Sequence, residues 1–343
     1  MKVKTYALLA AILLLVSACD KKPPPKTTKS LVYKNTEIKT DSIQEEEQEP
    51  RKESINLFTL MPKDSTDIAF VSMSDIYNLD GGNDTVAMPI IAKMDKKAAE
   101  YFLLENKYRK KFLSQTHISE YDSLFVYDYA KNKLASFPVK SLKTTAMING
   151  YASSEDFPYS PSDYMLGFEI NKKHLNEFSE YYRDALVYVG KENPFAKERL
   201  TPIAWKKITA KEYPSRPVKK EDQRLLKKTV PGNTYSFKTN SYQYFLQNYV
   251  DNRKNLYARR LLVVDSNTKD IIIEKLYSQS EGTSPSPLNY EEGEDTVNQW
   301  TGKLFKDKPQ VVFGFLYESF GCPGISIIDK SNEEIYLQCD NRH

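Results

Sequence analysis

The sequence predicts an α+β fold, mostly antiparallel sheet built from hairpins, with about three amphipathic helices. Two patterns predict it. Three segments each run four mostly apolar residues into an Asp, a polar turn and a second strand-like run, and three others repeat apolar residues at helical spacing. The hairpin-like segments start 137 and 64 residues apart, too irregular for the period of a propeller or solenoid.

From Ile55 onward, "TDIAFVSM" (66–73) reads as a strand and "NLDGGNDTVAMPIIAKM" as a turn followed by another. "KKAAEYFLLENKYRKKFL" (96–113) reads as a helix with Ala98, Tyr101, Tyr108 and Phe112 on one face. The first hairpin, "LFVYDYAKNKLASFPV", begins at Leu124 and turns at Asp128, since an Asp carboxylate accepts backbone hydrogen bonds within a turn. "KKHLNEFSEYYRDALVY" (172–188) gives the clearest helical stripe: Leu175, Phe178, Tyr182, Ala185 and Leu186. In "NSYQYFLQNYV", Tyr242, Phe245, Leu246 and Tyr249 repeat at 3, 4 and 7 and predict a short third helix. The other two hairpins begin at Leu261 and Ile325 and turn at Asp265 and Asp329.

A candidate domain boundary falls within 191–233, which holds Pro194, Pro202, Pro214, Pro217 and Pro231. Between Lys197 and Lys228 eleven basic residues face four acidic ones. This stretch is expected to be a solvated basic loop, complementing the acidic, Ser- and Pro-rich loop at 278–295 or meeting an anionic partner.

The amino terminus has a different character. Met1–Thr5 is short and positive, and "YALLAAILLLV" (6–16) carries no charge. Eleven residues of helix cover about 16 Å, roughly half of the ~30 Å hydrocarbon core, so the run is too short to span a membrane. A positive n-region, a short apolar h-region and small residues before a cleavage point make a secretory signal. "VSAC" at 16–19 resembles the lipobox of bacterial lipoproteins. The resemblance implies removal of residues 1–18, diacylation of Cys19 through sulfur, and a chain anchored in the bacterial cell envelope, facing the periplasm or the cell surface. Two or more acyl chains hold a membrane stably where one does not. Residues 20–54 are rich in Lys, Glu, Pro, Ser and Thr and poor in apolar residues, the composition of a disordered tether. The expected organisation is a signal peptide over 1–18, a lipidated Cys and tether over 19–54, and a globular region over 55–343.

Composition narrows the partners. Without Lys2 and Lys4, 47 basic side chains face 46 acidic ones, so no global basic footprint points to nucleic acid. With Cys19 lipidated, Cys322 and Cys339 remain in a disulfide-permissive compartment. A hairpin between them brings the ends together, and a bond closing that loop contributes ~3 kcal/mol on the chain-entropy account. A disulfide is expected, with two buried free thiols as the alternative. A catalytic thiol needs a basic partner, and the chain holds only His117, His174 and His343.

The familiar catalytic signatures are absent: no G-x-S-x-G, G-x-x-x-x-G-K, G-x-G-x-x-G, H-E-x-x-H or C-x-x-C occurs. "DGGND" (80–84) supplies two clear carboxylates where Ca²⁺ takes six to eight oxygens, so a Gly-rich turn is the simpler reading. No catalytic residue, metal ligand or cofactor is assigned. The 24 tyrosines raise carbohydrate binding, although clusters such as "YDSLFVYDY" and "SEYYRDALVYVG" also suit the edge of a core. The expected function is a non-catalytic binding or assembly module with a protein or glycan partner in the envelope. The alternatives are a glycan or peptidoglycan hydrolase acting through carboxylates, and a carbohydrate-binding lipoprotein.

Overall fold

The structure, a computed structural model, describes residues 55–77, 88–293 and 295–340. The lipobox with Cys19, the tether, "DGGND" and His343 lie outside the described residues. Among these residues no helix is long and apolar enough to cross a membrane.

The architecture corrects the expected fold class. Among the described residues strand outweighs helix by 40% to 16%, so the chain is mostly β, not α+β. Its α-helices are Lys96–Ala99, Lys107–Gln115 and Lys220–Leu225. Nine strands form one sheet, in the order Thr201–Pro202, Trp300–Gly302, Val311–Phe313, Gly324–Ile327, Glu334–Gln338, Leu57–Thr59, Ala185–Gly190, Ser123–Asp128 and Lys133–Pro138. A first five-stranded sheet contains Met61–Pro62, Ile68–Ser72, Tyr164–Asn171, Lys143–Ile148 and Tyr101–Leu103. A second contains Lys206–Ile208, Val230–Lys238, Tyr242–Val250, Leu256–Asp265 and Ile271–Ser278. Thr283–Pro285 and Leu316–Glu318 pair as a separate ribbon.

Each helix expectation that failed did so for a local reason. In 96–113, Asp95 caps a single turn through Lys97 N and Ala98 N; Tyr101–Leu103 then pairs with Thr145–Met147. The positive φ of Asn106 starts a second, nine-residue helix. In 172–188, positive φ angles at Glu177, Tyr181 and Tyr182 break the turns, and the apolar run that follows becomes the strand Ala185–Gly190. Residues 242–250 are a strand whose buried Tyr244, Leu246 and Asn248 alternate at period two. The three Asp-led hairpins are present. Asp128 accepts from Lys131 N, Asp265 from Asn267 N and Thr268 N, and Asp329 from Ser331 N. The basic stretch is divided, sending Thr201–Pro202 to the nine-stranded sheet and Lys206–Ile208 to the second five-stranded sheet.

Alternation in the nine-stranded sheet explains three packed cores. Phe58, Val126 and Val187 face Val71, Leu166 and Phe168 of the first five-stranded sheet, with Phe112 of the nine-residue helix among them. Their neighbours Leu57, Tyr127 and Leu186 point the other way, toward Phe195, Trp300, Ile325 and Leu337. Tyr129 touches Trp300 and Phe313, whose strands lie far across the strand order, so the sheet is curled. Between Val311 and Phe313, Val312 faces the third core, with Leu246, Val263 and Ile273 of the second five-stranded sheet. A sheet buried on both faces needs apolar residues at consecutive positions, as Leu57-Phe58 and Leu186-Val187 provide.

Phe112 has no exposed surface and meets Tyr77 and Phe168 at ring-centroid distances of 5.6 and 5.7 Å. Phe112→Ala is expected to lower stability by about 3–5 kcal/mol in urea denaturation. A loss below about 1 kcal/mol would contradict this account of the first core.

Candidate functional site

The basic excursion is fastened to the second five-stranded sheet by one carboxylate. Arg260 and Glu274 lie diagonally on adjacent strands, Arg260 opposite Leu276 and Glu274 opposite Leu262, with side chains 2% and 3% exposed. Glu274 Oε1 accepts from Arg260 Nε at 3.1 Å and Nη2 at 2.5 Å, and Oε2 accepts from Arg216 Nε at 2.6 Å. Arg260 also donates to the carbonyls of Arg216 and Pro217, and Lys219 Nζ donates to that of Glu274. Burial alone would raise the Glu274 carboxyl, but the two guanidinium groups outweigh it and hold the group below its usual value. The basic stretch also meets the 278–295 loop, but through a neutral contact: buried Asn289 donates to the carbonyl of Ile203 as well as that of Gln299, and Gln299 Nε2 donates to those of Pro287 and Gly314.

Fastening the excursion there places Lys219, Glu221 and Asp222 along one wall of a cavity of about 650 Å³. Glu274–Tyr277 form the edge beside it, and Leu186, Phe313 and Leu337 of the curled sheet form its floor. Leu316–Glu318 of the ribbon and Tyr336 complete the rim. The volume suits a ligand pocket, typically about 300–1,000 Å³. At Gly314, φ is +89° and an added Cβ would meet Asn298 O at 1.9 Å, so only glycine brings the chain through between Phe313 and Phe315.

The rim carries the chemistry. Tyr317 and Tyr336 line the cavity yet remain 65% and 59% exposed. Beside them stand Glu318 and Glu334. Glu334 has three partners: Lys275 Nζ at 3.0 Å, the Ser326 hydroxyl at 3.3 Å and the Tyr336 hydroxyl at 3.0 Å. Burial pushes the Glu318 carboxyl above its usual value, and the nearby charge of Glu334 adds to the shift. Burial, followed by Glu334, likewise raises the Tyr336 phenol, keeping it a donor. Gly321, at φ +138°, leaves room for the Glu318 carboxylate, whose Oε2 lies 2.8 Å from where a Cβ would stand.

Cys322 and Cys339 form a disulfide, as expected, with Cα atoms 5.6 Å apart. It joins the loop between Glu318 and Gly324 to the chain just after Glu334–Gln338, bracing the segment that carries both rim carboxylates. Neither His117 nor His174 borders the cavity; both are exposed. Among the described residues no group of three His, Cys, Asp or Glu is placed to hold a metal. Sequence reasoning marked both cysteines and the abundance of tyrosine, but its tyrosine clusters, "YDSLFVYDY" and "SEYYRDALVYVG", do not include Tyr317 or Tyr336. It missed Glu274, Glu318 and Glu334, which no motif announces. A second concavity of about 490 Å³ lies at the opposite edge of the second five-stranded sheet, beside Lys206, Phe237 and Phe245.

The chain matches no protein-family model, no curated protein and no solved structure.

Glu274→Gln is expected to leave two guanidinium groups without a counter-charge and to cost about 3–5 kcal/mol in denaturant titration. Because the folded-state value is depressed, the pairing stabilises the protein above the unfolded carboxyl value and is lost as pH falls through the folded one. Amide protection over 209–228, relative to the intrinsic exchange rate at each pH, should therefore fall in acid before that of the core strands. Uniform protection of both regions would contradict the clamp.

Proposed function

We propose that this protein is a lipid-anchored envelope module that binds a segment of glycan in the cavity beside the curled sheet. The observation that carries the reading is the pair of exposed tyrosines, Tyr317 and Tyr336, each set beside a carboxylate at the cavity rim. A sugar ring has an apolar C–H face that lies against an aromatic ring and a rim of hydroxyl groups that donate to carboxylates. A rim of aromatic faces and carboxylates supplies both.

Binding is favoured over hydrolysis by the state of Glu334. Glycoside hydrolysis needs a carboxylic acid and a second carboxylate free to act as base or nucleophile. Both Glu334 oxygens are committed to Lys275, Ser326 and Tyr336. The Cys19 anchor, inferred from "VSAC", holds the module at the envelope, and the tether gives it reach to a glycan away from the membrane surface.

Titration calorimetry with oligosaccharides prepared from envelope glycan tests the reading. Tyr317→Ala combined with Tyr336→Ala should weaken binding roughly tenfold or more while leaving the melting temperature unchanged, since both rings are mostly exposed. Glycan binding unchanged in the double variant would remove the cavity from the account. The anchor has its own test: Cys19→Ala should accumulate as an unprocessed precursor without lipid, whereas a normally cleaved, soluble product would show that the lipobox reading is wrong.

A further inference from the structure

Glu318 is the rim carboxylate that the protein leaves unserved. Among the described residues no N–H or O–H group donates to it, whereas Glu334 beside it has three donors. Lys275 Nζ lies 3.0 Å from Glu334 and pairs with that carboxylate, while Arg183 and Lys219 line the same cavity. Among the described residues no ion pair reaches Glu318, so its charge has no direct partner at the cavity mouth. The same wall holds a second polar group without a completed hydrogen bond. Tyr277 is 9% exposed and lines the cavity, and its hydroxyl lies near Ser326 without bonding it. A polar group in such a position is costly unless something pairs with it.

We propose that the ligand is an amine-bearing glycan, whose protonated amino group donates to Glu318 and supplies the missing positive charge. This rests on the glycan reading and narrows it. A hydroxyl group would satisfy the hydrogen bond but not the charge; an ammonium group does both, in the stronger charge-assisted form. The aromatic faces of Tyr317 and Tyr336 take the ring that carries the amine.

The electrostatics give the direction of the pH response. The charged and titratable groups of the cavity near Glu318 are Glu334 and Tyr336 on one strand, Lys275 on the neighbouring edge, and Arg183, Lys219, Glu221 and Asp222 along the walls. The free protein favours the protonated form of Glu318 more than water does. A bound ammonium group favours the carboxylate. Binding in mildly acidic buffer therefore releases a proton from Glu318, and affinity falls as pH drops through its raised value.

The test compares a glucosamine tetramer with its fully N-acetylated counterpart on the mature protein, by calorimetry in two buffers of different ionisation heat. The inference expects the amine form to bind about tenfold more tightly or better, with proton release. Glu318→Gln, nearly isosteric and on the rim, should abolish the proton release and the preference, so that the two tetramers bind alike. Equal affinity for the two tetramers, or a preference that survives in Glu318→Gln, overturns the amine inference and leaves the glycan reading standing. Failure of both tetramers to bind overturns the inference, and failure of envelope glycan as well overturns the reading beneath it.

Discussion

The carboxylate of Glu274 is the constraint on which the candidate site depends. It lies on an edge strand, buried, with both oxygens committed to guanidinium groups from two parts of the chain. Such an ion cluster is weak evidence for stability, because desolvating the charges offsets much of their attraction. Its consequence is positional. Tyr213, Val218 and Leu226 pack the 209–228 stretch against the second five-stranded sheet, and the Glu274 cluster fixes the segment from Arg216 to Lys219 beside its edge strand. So placed, the stretch becomes a cavity wall.

The remaining walls follow from the curled sheet. Its strands are apolar on both faces, so it buries one face against the two smaller sheets and closes the other upon itself. The cavity forms where this curl meets the edge of the second five-stranded sheet, which places polar edge groups beside an apolar floor. The disulfide acts at the same place, tying the loop after Glu318 to the chain after Gln338.

How much of this was legible follows the range of the interactions. The Asp-led hairpins were readable because their turn chemistry is local: Asp128, Asp265 and Asp329 bond backbone groups two or three residues away. The cysteine pair was readable because a hairpin lies between its members. The helices expected over 172–188 and 240–250, and the middle of the one over 96–113, were misread because short aromatic and aliphatic runs satisfy a period of 3.6 and a period of two almost equally well. Strand partners decided the outcome, and those lie far away in sequence, as Ala185–Gly190 between Leu57–Thr59 and Ser123–Asp128 illustrates. The site was hidden for the same reason. Glu318 and Glu334 meet only because the ribbon and the last hairpin converge, and Arg216 reaches Glu274 across 58 residues.

The central claim is that the cavity, and specifically its tyrosine and carboxylate rim, receives a glycan. A crystal structure of the mature protein with a bound oligosaccharide tests it most directly. The account predicts a sugar ring against the faces of Tyr317 and Tyr336, with an amino or hydroxyl group within hydrogen-bond distance of Glu318. A sugar bound instead at the distant concavity beside Phe237 and Phe245, with the rim empty, would contradict it.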